Sequence, residues 1–297
     1  MVRNLNKTLT VLMTTTMLAF LGPAAAQEAL APLPAPQPQE VDLALVLAVD
    51  VSGSIDYQEA ELQRKGLVDA FLNKEVIDAI RSGSLGRIGV SVVYFSSKDY
   101  GYMSIPVNWM VVEDDKTAQA FIKKLVSARR PSARGTSISD ALEYSLRQLQ
   151  TGPFHAIKQV IDVSGDGVNN AGRRVEEVRD EVLAKGVTIN ALPIINDTTP
   201  QDLDKYFEGC VTGGPASFVI QARGFIDFAR AIRRKLILEI SGLTPKDMPD
   251  PSDNVIRVAD QGAPARPVPQ RRFTPNSRYE GGCDFPMFGG FGGFGFR

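Results

Sequence analysis

The pattern of apolar and polar positions is clearest between Val41 and Ser54, where a nearly unbroken apolar run ends in Asp50-Val51-Ser52-Gly53-Ser54. Such a run predicts a strand buried on both faces of a parallel sheet. Ligands of open α/β sheets bind outside the carboxyl ends of the strands. The carboxylate and two hydroxyls at this strand end therefore predict a binding site, and a solvated turn is the alternative.

The rest of the chain alternates between strand and helix patterns. Asp56 and Glu59 have the spacing of a capping box and open the first helix. Further strands are predicted at 87–95, 100–107, 157–164, 187–195 and 217–220, and further helices at 116–128, 138–149, 173–185, 202–207 and 225–240. This order predicts a Rossmann-like, doubly wound α/β fold with a mostly parallel six-stranded sheet and helices on both faces. The strand at 100–107 should be an antiparallel edge strand, because the turn before it is too short for a crossover.

Two other segments place oxygen side chains at strand or helix ends. Thr136 lies just before a predicted helix, where its hydroxyl could cap the helix, bind a metal, or do both. Asp166 follows the strand at 157–164 and is flanked by two glycines. Asp162 competes with it, but an acid within a buried strand needs a hydrogen-bonding partner, and we favour Asp166 because it lies at the strand end.

Carboxylates combined with hydroxyls are ligands for a hard divalent cation. The predicted metal site consists of Asp50, Ser52, Ser54, Thr136 and Asp166. Mg²⁺ is the expected ion, and Mn²⁺ and Ca²⁺ are the alternatives.

With these residues in place, the sequence resembles a von Willebrand factor type A (VWA) domain over about residues 41–240. The metal-ion-dependent adhesion site (MIDAS) of that superfamily has Asp-x-Ser-x-Ser after the first strand, a Thr in a later loop, and Asp-Gly after the fourth strand. Within the superfamily, the segments at 41–54, 160–167 and 210–215 are most similar to a bacterial secreted family of uncharacterised function (DUF1194-like). One departure is that Gly165 stands where the superfamily usually has Thr or Ser.

The resemblance implies a non-enzymatic, metal-dependent protein-binding domain of the bacterial cell envelope that serves adhesion or complex assembly. Its partner would present an Asp or Glu carboxylate that completes the metal shell. Two alternatives stay open: a Mg²⁺-dependent phosphohydrolase, and a structural envelope protein with a vestigial metal site. The single histidine, His155, is predicted in a surface turn, which disfavours a Ser-His-Asp hydrolase.

Composition and terminal segments indicate the compartment. Residues 1–26 have the charged start, short apolar middle and small-residue exit of a signal peptide, with cleavage predicted after Ala26. An Ala/Pro-rich linker at 27–40, the VWA-like domain at 41–240 and a mainly disordered tail at 241–297, Pro-rich and then Gly/Phe-rich, should follow. The alternative for residues 1–26 is an uncleaved membrane anchor, and no other segment is long and apolar enough to span a bilayer. After signal-peptide cleavage we expect a periplasmic or secreted protein.

Charge and cysteine content complete the expectations. The formal net charge of −1 does not favour nucleic acid as a partner. Cys210 and Cys283 are the two cysteines, and in an oxidising compartment they could form one disulfide or remain as two free thiols.

Overall fold

The computed structural model describes residues 38–97, 103–197, 199–200, 202–248 and Cys283. The predicted signal peptide, nearly all of the linker, and the tail beyond residue 248 apart from Cys283 lie outside the described residues. Within the described part of the chain, no helix has both the length and the apolar character needed to cross a membrane.

Six strands form one sheet in the order β3-β2-β1-β4-β5-β6. All neighbouring strands are parallel except β2 and β3, which pair antiparallel, so the predicted antiparallel edge strand is confirmed. The strands are β1 (Gln39–Asp50), β2 (Ile88–Phe95), β3 (Met103–Val112), β4 (Phe154–Gly165), β5 (Thr188–Ile195) and β6 (Ala222–Arg223).

Seven helices connect the described strands, and the predicted α/β architecture is confirmed. The Asp56 side chain accepts from the backbone of Glu59 and the Glu59 side chain accepts from the backbone of Asp56, which completes the predicted capping box. The helices are α1 (Tyr57–Phe71), α2 (Lys74–Arg81), α3 (Asp115–Ser127), α4 (Ile138–Thr151), α5 (Val175–Leu183), α6 (Leu203–Tyr206) and α7 (Gly224–Ser241), and a π-helical turn (Phe207–Val211) follows α6.

The alternation of side chains along β1 divides the core into two layers. Leu43, Leu45 and Leu47 belong to the cluster that contains residues of α1, α2, α3 and α7. Ala44 and Val46 belong to the opposite cluster, with residues of α4, α5 and α6. Because successive side chains of a strand point to opposite faces, one continuous apolar run fills both layers.

Two local predictions were wrong. The last strand is not at 217–220, where the structure has a single bridge between Val219 and Ala191, but two residues later at β6. His155 is not in a turn: it is an exposed residue near the start of β4, because this strand begins earlier than its apolar run. The polar first half of β4 is half-exposed, and its pattern therefore lacks the hydrophobic signal of a buried strand.

Cys210 and Cys283 form a disulfide, with 5.6 Å between their Cα atoms. The pairing alternative is therefore confirmed. Cys210 is fully buried in the π-helical turn, and Cys283 packs against the same hydrophobic cluster. A disulfide is typical of a protein that folds in an oxidising, extracytoplasmic compartment.

Candidate functional site

The pairing of β1 with β4 brings the two predicted carboxylates to one edge of the sheet. Val49 lies opposite Ser164 in the parallel register, so Asp50 and Asp166 follow at adjacent strand ends. Both side chains are buried, with exposed fractions of 0% for Asp50 and 4% for Asp166. Parallel pairing therefore creates an acidic pair from residues more than a hundred positions apart.

Two serine hydroxyls connect the loop after β1 to Asp166. Ser52 Oγ lies 3.0 Å from Ser54 Oγ, and Ser54 Oγ donates to Asp166 Oδ1 at 2.8 Å. The backbone N–H of Ser52 donates to Asp50 Oδ1 at 2.7 Å. Ser54 is exposed whereas Ser52 is buried, so this row of oxygens extends from the interior to the surface.

Thr136 reaches the same place from the loop before α4. Its capping role is excluded, because Ser137 is the N-cap and accepts from the backbone of Asp140. Thr136 Oγ1 lies 3.5 Å from the position that a Cβ atom on Gly167 would occupy, so its hydroxyl faces the loop that carries Asp166. The structure thus brings together all five predicted residues, from three separate loops.

Two asparagines hold these loops together, and the sequence pattern alone did not assign them this role. Asn170 Oδ1 accepts from the backbone N–H of Thr136 at 2.8 Å, and the Asn170 N–H donates to the Thr136 carbonyl at 2.9 Å. Asn169 Oδ1 accepts from the N–H of Ser139 at 3.0 Å. The available signal was their position directly after Asp166-Gly167-Val168, where a loop with no helical or strand pattern contains two amides.

The electrostatic environment disfavours two negative charges without a counter-ion. Burial raises the pKa of Asp50 from 3.8 to about 7, and the charge of Asp166 adds to this effect. Burial also raises the pKa of Asp166, whereas the hydrogen bond from Ser54 lowers it. Asp50 Oδ2 is buried and accepts no hydrogen bond within the described part of the chain. A bound cation would compensate these charges.

Arg130 is a cation close to the two acids, and the sequence pattern did not assign it a role. Its Nη2 donates to the main-chain carbonyl of Asp50 at 3.1 Å and lies 3.4 Å from Gln63 Oε1. Through this carbonyl the guanidinium holds the end of β1 in place. Its charge lowers the pKa of Asp50 and of Asp166, but burial raises each pKa by more. Arg129 and Arg134 are exposed.

Asp162 is not part of this site. Its Oδ1 atom lies 2.7 Å from Nζ of Lys235. Lys235 belongs to α7, which packs in the same core layer as α1, α2 and α3. The partner that a buried acid requires is therefore this lysine, and the preference for Asp166 over Asp162 agrees with where the structure places the two side chains.

The donor set is rich in hydroxyls and poor in charge. Among the described residues, no group of three or more His, Cys, Asp or Glu side chains is arranged to hold a metal. His155 lies near the start of β4, about 35 Å along the strand from Asp166. The arrangement fits an oxygen-preferring cation better than zinc held by histidine or cysteine.

A model of the family described as "Protein of unknown function (DUF1194)" matches residues 40–244, more than two thirds of the chain. The chain belongs to the DUF1194 family. The match includes all six strands except Gln39 of β1, and every residue of the candidate site, so the site is part of the DUF1194 domain itself. A search of curated proteins found no match to this DUF1194 chain.

Solved structures with a similar fold include VWA-domain proteins. The pilus adhesin SpaC from Lactobacillus rhamnosus GG aligns with a TM-score of 0.50 and 16% identity, over 69% of this chain and 31% of SpaC. Proximal thread matrix protein 1 of the mussel byssus aligns with a TM-score of 0.50 and 16% identity, over 69% of this chain and 50% of that protein. The DUF1194 chain thus spans about a third to a half of the length of these proteins. At this identity the similarity shows that the DUF1194 domain has a VWA fold.

Proposed function

We propose that this protein is a non-enzymatic, divalent-metal-dependent protein-binding domain of the bacterial cell envelope, used in adhesion or complex assembly. Asp50, Ser52, Ser54, Thr136 and Asp166 would hold the metal. The observation that carries the proposal is their convergence: two buried carboxylates and three hydroxyls from three loops meet at the carboxyl edge of the sheet.

The residues fit the metal in chemistry and in charge. Asp50 Oδ2 is buried without a hydrogen-bond donor, as expected of an oxygen that needs a cation. A divalent ion, when bound, would offer an open coordination position to an oxygen from outside the chain. Ser54 and Gly53 are exposed, so an approaching carboxylate can reach this side of the site.

The described residues around the five ligands would orient the site. Asn170 holds the Thr136 backbone in place, and the Arg130 side chain donates to the main-chain carbonyl of Asp50. The one histidine of the sequence is exposed near the opposite end of β4, too far away to serve a serine as a base. This distribution supports a binding role.

The proposed partner is a protein that presents an Asp or Glu carboxylate, and Mg²⁺ is the proposed ion, with Mn²⁺ or Ca²⁺ as alternatives. The disulfide and the predicted signal peptide support a periplasmic or secreted location. The proposed domain limits are those predicted from the sequence, residues 41–240.

Metal titration tests the proposal directly. Calorimetry with Mg²⁺ and Mn²⁺ should detect one site in the wild-type chain and none in Asp50→Ala, whereas Asp69→Ala, which removes an exposed acid of α1, should bind like the wild type. Unchanged Mg²⁺ and Mn²⁺ affinity in Asp50→Ala would overturn the assignment.

Capture from envelope extract tests the partner. A protein retained by the wild-type chain in Mg²⁺, but not in EDTA and not by Asp50→Ala, is the expected result. If Mg²⁺-dependent hydrolysis of a generic phosphate ester is found instead and disappears in Asp50→Ala, the protein is an enzyme and the binding proposal is wrong.

A further inference from the structure

A second buried polar cluster lies away from the metal site, between the sheet and α7. It consists of Asp162 in β4, Asn190 in β5, and Lys235 and Glu239 in α7. The exposed fractions are 0% for Lys235, 2% for Asp162 and Asn190, and 4% for Glu239. A lysine amine is thus enclosed with two carboxyl groups in a part of the core that contains almost no water-accessible surface.

The amine contacts both acids. Lys235 Nζ lies 2.7 Å from Asp162 Oδ1 and donates to Glu239 Oε1 at 2.5 Å. Asn190 Nδ2 also donates to Glu239 Oε1, at 2.8 Å, so Glu239 is held in place from two sides. The ring centroid of Phe218 lies 5.5 Å from Nζ and closes the cluster with an apolar surface.

The Lys235 amine is the close polar neighbour of the Asp162 carboxyl group. Neither of its oxygens accepts a well-aligned hydrogen bond within the described ranges. Burial raises its pKa to about 7, the charge of Glu239 raises it further, and Lys235 lowers it. Burial therefore favours the neutral carboxylic acid form of Asp162, whose carbon is more electrophilic than that of a carboxylate.

We propose that Lys235 and Asp162 become joined by an intramolecular amide bond between Nζ and Cγ, with Glu239 as the catalytic proton acceptor. Asn190 is the positioning residue, because its amide orients Glu239 toward the amine. Desolvation favours the reaction, since an amine shielded from water is a better nucleophile and the product is uncharged.

The step balances without an oxidant or another reactant. Glu239 takes one proton from the Lys235 ammonium group, and the amine lone pair then attacks the Cγ atom of the Asp162 carboxylic acid. A second N–H proton moves to the Asp162 hydroxyl, which leaves as water. The N–C bond forms, the C–O bond breaks, one hydrogen stays on the amide nitrogen, and Glu239 remains protonated.

The bond would tie the last described helix to a central strand. Lys235 lies in α7, which packs along α1, and Asp162 lies in β4, which pairs with both β1 and β5. A covalent link at this point would prevent α7 from separating from the sheet, and it would act alongside the disulfide at Cys210.

A tryptic peptide map of the wild-type full-length chain tests the proposal. Trypsin should release residues 159–173 covalently joined to residues 235–246, with no cleavage after Lys235 and a mass lower by one water molecule than the sum of the two peptides. Recovery of both segments only as linear peptides, with cleavage after Lys235, would overturn the proposal and leave an ion-pair cluster.

One variant and one internal control separate this reaction from chance cross-linking. Glu239→Gln keeps the shape of the side chain but cannot take the proton, so it should give linear peptides; linked peptides in this variant would refute the role of Glu239. Lys65 and Asp69 provide an internal control, because their side chains are 2.5 Å apart but solvent-exposed. Their peptides should remain unlinked in the same digest, and a link there would show that the linkage at Lys235 arises from sample handling.

Discussion

Replacement of Gly165 by alanine should disturb the proposed metal site through contact with Asp50. A Cβ atom at position 165 would lie 2.9 Å from Asp50 Oδ2 and 3.1 Å from Asp50 Cβ. Both distances are shorter than ordinary van der Waals contacts, and the ladder between β1 and β4 holds the adjacent residues Val49 and Ser164 in place. The Asp50 carboxylate must therefore turn away from its present position.

The expected losses of stability and of metal affinity follow from the close contact that the added methyl group of Gly165→Ala would make. Extra atoms forced into a closely packed region cost about 1–3 kcal/mol, so the free energy of unfolding in EDTA should fall by that amount. Displacement of a ligand or of its support reduces metal affinity by about 10–100-fold, and we expect a loss in this range for Mn²⁺. Gly167→Ala is the matched control, because the nearest atom to its Cβ would be Thr136 Oγ1 at 3.5 Å. Neither glycine has a positive φ, so backbone strain does not separate the two variants.

Urea unfolding in EDTA and Mn²⁺ calorimetry measure the two effects. Gly165→Ala should be less stable and bind Mn²⁺ more weakly, while Gly167→Ala should keep both values close to those of the wild type. Equal behaviour of the two variants, in stability and in affinity, would refute the claim that contact with Asp50 excludes a side chain at position 165.

Three other predictions concern charge, the disulfide and a helix cap. In EDTA, Asp50→Asn should stabilise the protein by as much as about 4 kcal/mol at pH 8, because the pKa of Asp50 is raised from 3.8 to about 7 in the folded state. This gain should shrink as the pH falls from about 7 to 3.8, where the wild-type acid also becomes neutral, and a gain that does not change with pH in urea unfolding would contradict it. Reduction of the Cys210–Cys283 disulfide, which joins residues 73 positions apart, should lower the free energy of unfolding by about 4 kcal/mol, and an unchanged urea midpoint in reductant would count against a stabilising role. Asp114→Ala should destabilise α3 at neutral pH, because Asp114 caps this helix and hydrogen bonds from Thr117 lower its pKa. The stabilising effect is present above pH 3.8, the unfolded-state pKa, and is lost as the pH falls through the lower folded-state pKa. The urea midpoints of the wild type and the variant should therefore converge in acid, and midpoints that stay apart there would contradict the capping role.

Local patterns were sufficient to predict most of the architecture. The apolar run of β1 predicts a central strand because its residues fill both core layers, and the position of Asp50-Val51-Ser52-Gly53-Ser54 at its end predicts a site. The spacing of Asp56 and Glu59 predicts the start of α1 because a capping box involves residues three apart. These features depend on neighbours within a few positions, and the sequence alone contains them.

The fold class, the strand ends that carry oxygen side chains and the five candidate ligands could thus be derived from the sequence pattern. Tertiary structure alone decided that Asp162 meets Lys235, that Asn170 holds the backbone of Thr136, and that Cys210 pairs with Cys283. It also decided the place of β6, whose two residues form a strand only because Ile194 and Ile195 lie beside them. The physical reason is the same in each case: these contacts join residues far apart in the chain, and their partners are selected by which strands and helices become neighbours when the core packs.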